Sequence, residues 1–337
     1  MPEFSPGGVL LLDKPEGVSS FQALRPLKRL FPKTKIGHAG TLDPMASGLL
    51  LIGIGTGTRL LEYLEGLPKT YTFTARFGYV SDSYDMEGAV EPFTGLPSGR
   101  PAAIPPDDIP PEYVPATDLD GPAVARALEA FRGRIRQTPP VYSAIKIGGE
   151  RACDRVRAGE TVVLKAREVT VHALKMTSFF PGALPKADVA PAAGASASDA
   201  ALTAPSAAME MTCSKGTYVR SLVHDLGLAL GAGAVTDKIR RTAIGPYRVE
   251  NAHSPDSLEA GMALLPLETA VSHLPAGLVA ADQIPRLLMG QSVPAAISTE
   301  APETGDFRAM DASGRLLAIA TLSPEGLLCP KKVLIKG

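Results

Sequence analysis

The chain has 337 residues, 45% hydrophobic and 20% charged, with a formal net charge of −1. That length buries a large core and suggests two domains, while the balanced charge leaves any nucleic-acid partner to a local basic face. No apolar stretch reaches the roughly 18 residues that span a bilayer, MPEFSPGGVLLLDKP lacks the basic region of a secretory signal, and Cys153, Cys213 and Cys329 make no CxxC pair, so a disulfide framework or zinc site is not expected and the cytoplasm is.

GVLLLDKPEGVSS reads as a strand over Val9–Leu12 that ends in a Lys-Pro-x-Gly turn. Ser19 or Ser20 then caps a helix with Leu24, Leu27 and Leu30 on one face. RPLKRLFPKTK follows, with Arg25, Lys28, Arg29, Lys33 and Lys35 and no acid. ASGLLLIGIGTGTRLLEYLEG reads as a buried strand, a glycine turn and a short helix. KTYTFTARFGYVSD alternates as a strand does, with Tyr71, Phe73, Ala75 and Phe77 on one face. Pro101 to Asp118 is proline-rich, and AVARALEAFRGRI has helical periodicity. EVTVHALKMTSFF and AMEMTCSKG are two further strands. Between them, residues 181–208 are dominated by Ala, Pro, Gly, Ser and Asp. Such a composition buries too little apolar surface to offset ordering entropy. It predicts a mobile loop between adjacent antiparallel strands, with a transient helix as the alternative. TYVRSLVHDLGLALGAG is a helix with Leu222, Val223, Leu226 and Leu230 on one side and glycines past its end. After about Leu264, DASG and SPEG turns join three short strands in a small β domain.

Two more basic runs are Lys238, Arg240 and Arg241, and Lys146, Arg151, Arg155 and Arg157. One such run is usually a solvated helix face; three make a weak case for an anionic partner.

Asp43 stands before Pro44, which keeps its backbone extended. Ala39, Gly40, Ala46, Ser47 and Gly48 leave room for a bulky ligand. Alone, this is most simply an Asx turn. Arg220 adds weight. Ser214 or Thr217 is expected to cap its helix, placing a cation in the first turn, where the macrodipole favours anions. That suggests a specific anionic partner, against the plainer option of a surface arginine. Pairing with Asp43 would keep the carboxylate charged despite burial. Tyr71 is either a core tyrosine or an aromatic face for a base. GIGTGTR is no nucleotide loop, because Thr58 replaces the third glycine of GxGxxG and GK[ST] is missing. DSYDMEG, from Asp82 to Gly88, reads as an acidic surface turn rather than a cation loop.

In order, LLLDKPEGVSS, IGHAGTLDPMASGLLLIGIGTGTRL, KTYTFTARFG, RGRIRQTPPVYSAIKIGG and CSKGTYVRSLVHDLG resemble the successive motifs of the bacterial tRNA pseudouridine-55 synthases, the TruB family. The resemblance runs from about Val9 to Tyr247. It implies an α+β pseudouridine synthase fold, a central mixed and largely antiparallel sheet with flanking helices, over residues 1–263. A small C-terminal PUA-like RNA-binding β domain is expected over 264–337. The implied reaction turns the N-glycosidic bond of a T-loop uridine into a C-glycosidic one, with no cofactor and no metal. The implied partner is the T stem-loop of tRNA, with no membrane, guide RNA or obligate protein partner, and a monomeric enzyme.

Carried over by position, Asp43 is the catalytic aspartate, acting either as nucleophile at C1′ or as base for the C2′ proton. Arg220 pairs with it. Tyr71 stacks on the target base and helps move the C5 proton. Ile239 packs the other face of the base, and His38 assists extrusion of the uridine. Lys14 and Pro15 belong to a mainly structural motif beside the site, and Tyr218 supports the pocket. Residues 132–159 match a loop that closes over the RNA, which gives its basic residues, and the basic helix after Ser20, a use. Relatives commonly carry LYExAR where this chain has ACDRVR, with Cys153 replacing the tyrosine. Three competing readings are a guide-RNA-dependent relative, a non-catalytic RNA-binding module and a glycosidase. The last usually needs two carboxylates across the bond, and the Asp43 motif supplies one.

Overall fold

A computed structural model describes residues 7–95, 114–182, 203–297 and 305–335. Most of the proline-rich stretch and of the expected mobile insertion, with its helical alternative, lies outside the described residues. The chain forms two compact units that do not follow chain order. The first comprises Met1–Pro44, Leu49–Gly66 and Val249–Gly337; the second comprises Met45–Gly48 and Leu67–Arg248. Among the described residues no helix is long and apolar enough to cross a membrane.

In the first unit, strand Ile36–Ala39 runs antiparallel to Ser47–Gly55, pairing Ile36 with Ile54 and Ala39 with Leu51. Leu10 and Leu12 of strand Gly7–Lys14 pack with Leu24, Leu27, Leu50 and Ile52. The helix expected after the two serines forms as two, Ser20–Ala23 and Arg25–Leu30. Pro26 has no amide hydrogen to donate, so the first helix cannot continue through it. Ser19 is the cap, in a reciprocal box with Gln22.

The C-terminal strands form a six-stranded sheet. Its order is Val293–Pro294, Leu327–Val333, Leu316–Leu322, Asp306–Met310, Ala276–Leu278 and Ala296–Ile297. Both expected turns are present. Asp311 accepts from the amides of Ser313 and Arg315 at 2.9 and 3.0 Å, and the Gly326 amide donates to Ser323 at 3.0 Å. Phe307, Leu317 and Leu328 fill the interior.

In the second unit, strand Lys69–Phe77 lies between Ser206–Cys213 and Ala234–Ile244, antiparallel to both. Arg167–Phe180 continues the sheet and Gly133–Gln137 closes it, both antiparallel. Ser47 and Gly48 add a parallel rung opposite Arg240 and Arg241, which makes the sheet mixed. Helix Val219–Ala229 buries Leu222, Val223 and Leu226 completely; Leu230 is its half-buried cap. The mixed, largely antiparallel α+β architecture is as expected.

Two boundaries move. The helical stretch predicted through Ile135 stops at Phe131; Gly133–Gln137 is strand, with Ile135 and Gln137 turned inward. Its ladder with Arg167–Val171 outweighs local periodicity. The first residues of the expected RNA-closing loop are therefore sheet. The insertion does hang between adjacent antiparallel strands, but ends earlier than residue 208: Ser206 pairs with Phe180 and Ala207 is fully buried in the ladder.

Gly48 takes φ +105°, and a Cβ there would lie 2.3 Å from the Arg241 carbonyl oxygen. Gly48→Ala is therefore expected to cost about 2–4 kcal/mol, from strain plus the displaced parallel rung. Urea unfolding of the two proteins measures it.

Candidate active site

The predicted site residues divide between the units: Lys14, His38 and Asp43 in the first, Tyr71, Tyr218, Arg220 and Ile239 in the second. In the first, the Asp43 loop is fastened on both sides. Ser20 is buried, and its hydroxyl donates to the Leu42 carbonyl at 3.0 Å while accepting from the Leu42 amide at 2.9 Å. On the other side the Pro44 carbonyl accepts from the Lys14 ammonium at 3.2 Å and the Gly17 amide at 2.9 Å. Lys14 is 0% exposed and also donates to the carbonyls of Pro15 and Val18, at 2.8 and 2.6 Å. A buried ammonium is costly unless bonded; here its bonds tie the Lys-Pro-x-Gly turn to the aspartate loop. Asp43 itself is half-buried, as is His38 on the strand leading to it.

In the second unit, register places Tyr71 between Met211 and Arg241, and Phe73 opposite Ile239. Cross-strand partners share a face and i, i+2 residues do too. Tyr71 and Ile239 are thus diagonal neighbours on one face. Phe73, Ala75 and Phe77 are buried, and Tyr71 is partly exposed at the end of that row.

Arg220 is 3% exposed, in the first turn of its helix as expected. Its guanidinium donates to the carbonyls of Ser83 and Tyr142, both at 2.8 Å, and lies 3.2 Å from the Asp85 carboxylate. The anion that a cation at this helix end calls for is thus present in part as Asp85. This corrects the surface-turn reading of DSYDMEG: Asp85 is buried, and its other oxygen accepts from Ser83 Oγ at 2.5 Å and the Glu87 amide at 3.0 Å.

The helix cap also differs from expectation. Tyr218 is the N-cap, with no side-chain cap bond. Ser214 Oγ instead accepts from the Thr170 amide at 2.9 Å, and the Thr217 hydroxyl donates to Ser214 O at 3.0 Å. Gln137 holds the N-cap residue from outside: its side chain accepts from the Tyr218 amide at 2.8 Å and donates to its carbonyl at 3.0 Å. The Ser221 hydroxyl donates to Thr138 O at 2.7 Å. With Arg220 on Tyr142, one helix turn fastens residues 137, 138 and 142. The Arg167 guanidinium lies 5.1 Å from the Tyr218 ring centroid. Ser20, Asp85, Gln137 and Arg167 were not singled out by the sequence for these roles. Only the second serine of the SS pair, redundant as a cap, gave any signal.

Two titratable neighbours sit further along the helix. The His224 ring stacks on Tyr84 with centroids 3.8 Å apart, and burial pushes its pKa down to about 4. Burial pushes the Asp225 carboxyl up to about 7. A raised carboxyl favours the fold at low pH, and that contribution is lost as pH rises from about 4 to 7. A depressed histidine favours the fold at high pH, and that contribution is lost as pH falls from about 6.5 to 4. The two slopes oppose each other, each amounting to a few kcal/mol. Asp225→Asn leaves the histidine alone, so its stability should climb between pH 4.5 and 7.5 more steeply than that of the parent. Urea midpoints at the two pH values test this; parallel curves would refute it.

Among the described residues no cluster of three or more His, Cys, Asp or Glu could hold a metal. The family model described as TruB family pseudouridylate synthase (N terminal domain) matches residues 28–96 and 108–219. That described as tRNA pseudouridylate synthase B C-terminal domain matches 220–272. A Thermobifida fusca protein named tRNA pseudouridine synthase B is 38% identical over 93% of this chain and 94% of its own length. A Burkholderia mallei protein of the same name is 37% identical over 98% and 97%. Among solved structures, a chain of a Cbf5-Nop10-Gar1 complex aligns with TM-score 0.67 at 22% identity, covering 98% of this chain and 85% of that one. One of an H/ACA RNP bound to a substrate RNA containing 2′-deoxyuridine aligns with TM-score 0.63 at 20% identity, covering 97% and 85%.

Proposed function

Because the chain belongs to the TruB family of pseudouridylate synthases, we propose that it isomerises uridine 55 in the T loop of tRNA. Pseudouridine formation in tRNA is the activity its relatives are named for; the position and the mechanism are the finer part of this reading. A stacked uridine shields its glycosidic bond, so the nucleotide is extruded at an unstacking cost of a few kcal/mol. Tyr71 and Ile239 take the two faces of the extruded base and offset that cost, and His38 assists extrusion. The C1′–N1 bond breaks, the base turns, and a C1′–C5 bond forms. The C5 proton then leaves, with Tyr71 assisting, and N1 gains a proton. Asp43 drives the first step, by attack at C1′ or by removing the C2′ proton. Arg220 holds it ionised, and Tyr218 supports the pocket.

The observation that carries this reading is the double fastening of the Asp43 loop by Ser20 and the buried Lys14. A side chain that must meet one atom of an extruded nucleotide needs a backbone fixed to within about 0.5 Å; a solvent-facing Asx turn needs no such support. Residues 132–159 close over the RNA, and 264–337 form the PUA-like RNA-binding domain. The enzyme acts alone on tRNA, as a cytoplasmic monomer. The test is tritium release from tRNA labelled at uridine C5, followed by mapping of the modified position. Free uracil would indicate hydrolysis instead. Turnover that required an added guide RNA would favour the guide-dependent reading.

A further inference from the structure

We infer that Arg25, Lys28, Arg29, Lys33 and Lys35 form a phosphate-binding ridge that carries the backbone of the substrate RNA away from the Asp43 loop. This rests on the RNA-modifying function proposed above and adds a second binding surface to it.

All five cations are exposed. No acidic residue stands between Glu16 and Asp43. None of the five has a carboxylate partner among the described residues. Some other exposed cations do: Arg134 meets Glu168, Lys175 meets Glu210 and Lys331 meets Asp306. Arg25, Lys28 and Arg29 stand at i, i+3 and i+4, so they share one helix face. The helix dipole accounts for Lys28 and Arg29 in the last turn. It opposes Arg25 in the first.

Two details point the same way. Lys33 holds φ +63°, a left-handed conformation in which glycine is relaxed and a lysine strained. Phe21 is 60% exposed, and Lys28 Nζ sits 4.1 Å from its ring centroid, so an aromatic face and a cation lie together at this surface. A self-repelling, strained row of cations is explained by a polyanion that neutralises it.

The ridge is joined to the Asp43 loop at both ends. Ser20, next to Phe21, holds the Leu42 main chain. Lys35 leads into the strand that carries His38 and ends just before Gly40. The row and the Asp43 loop thereby belong to one compact unit, which holds Met1–Pro44. An anionic membrane is the poorer occupant, because the apolar side of this helix is spent: Leu24 and Leu27 are buried in the core.

The test uses the full chain with Arg25→Gln, Lys28→Gln and Arg29→Gln combined, and separately Lys33→Gly. Affinity for unmodified tRNA is measured by filter binding across a salt series. The triple variant should bind roughly 10–100-fold more weakly at about 0.1 M salt, with the slope of log affinity against log salt shallower by about 2–3. Its loss of turnover should fall on KM. Lys33→Gly, which relieves strain, should keep its thermal midpoint and lose about one unit of slope. Unchanged affinity and slope in the triple variant would overturn the ridge. So would loss of binding to phosphatidylserine vesicles with tRNA binding intact. Binding is read apart from turnover, so a wild type that bound tRNA without isomerising it would sink the proposed function and leave the ridge standing.

Discussion

Asp43→Asn should bind tRNA about as well as the parent and form no pseudouridine. The substitution keeps shape and removes only the charge and basicity that either route requires. The main chain on either side of it is held without that carboxylate: Leu42 by Ser20, and Pro44 by Lys14 and Gly17. The loop should therefore keep its backbone position, and any loss of stability should be confined to what the carboxylate's own pairing contributes, about 1–3 kcal/mol. Turnover should fall on the order of 10⁴–10⁶-fold, the scale seen when a covalent or proton-transfer group is deleted. Single-turnover assays with enzyme in excess separate the two effects. A variant that bound tRNA normally and still turned over within tenfold of the parent would remove Asp43 from the chemistry.

Arg220→Ala should lose turnover as completely, and stability with it. Arg220 and Asp85 are each 4% exposed at the side chain and 3.2 Å apart. Deleting one partner strands a buried charge, which costs about 3–5 kcal/mol. The carbonyls of Ser83 and Tyr142 lose their donor as well. A loss of activity in this variant alone would therefore say little. The informative protein is Arg220→Ala combined with Asp85→Asn. Neutralising the stranded acid should recover a good part of the stability, measured by urea unfolding, and none of the turnover. If activity returned with the fold, Arg220 would be a structural arginine and its role at Asp43 would fall. Arg220→Lys is expected to fail too, since one ammonium cannot reproduce a planar fork that reaches two carbonyls and a carboxylate.

The strands around Tyr71, the helix carrying Arg220 and the two C-terminal turns were legible because each has a local signature: period two, period 3.6, and Asx or Ser-Pro-x-Gly chemistry. Asp85 was illegible for the opposite reason. DSYDMEG has the composition of a solvated loop, and only the tertiary position of Arg220 makes it an interior one. The helix cap failed in the same way. Ser214 and Thr217 are good cappers by type, yet Gln137, 81 residues away, supplies the bonds to Tyr218. Gly133–Gln137 shows tertiary pairing overruling a helical pattern. At Asp43 the residues themselves left an Asx turn in front; the order of the motifs raised it. The fastening through Ser20 and Lys14 supplies the physical reason that a short loop can serve as a platform.

The strand ends that bracket the alanine-rich segment have a practical use. Phe180 faces Ser206 in register, and Gly182 approaches the main chain of Ala204 so closely that an added Cβ would lie 2.4 Å from it. The chain thus leaves and re-enters the sheet at nearly one point. Closing a longer loop between fixed ends costs only about 0.6 kcal/mol per doubling of its length. This makes the segment an entry port for cargo. A fluorescent reporter or affinity handle spliced between these two ends would attach to the scaffold through both termini and leave every rung of the ladder in place.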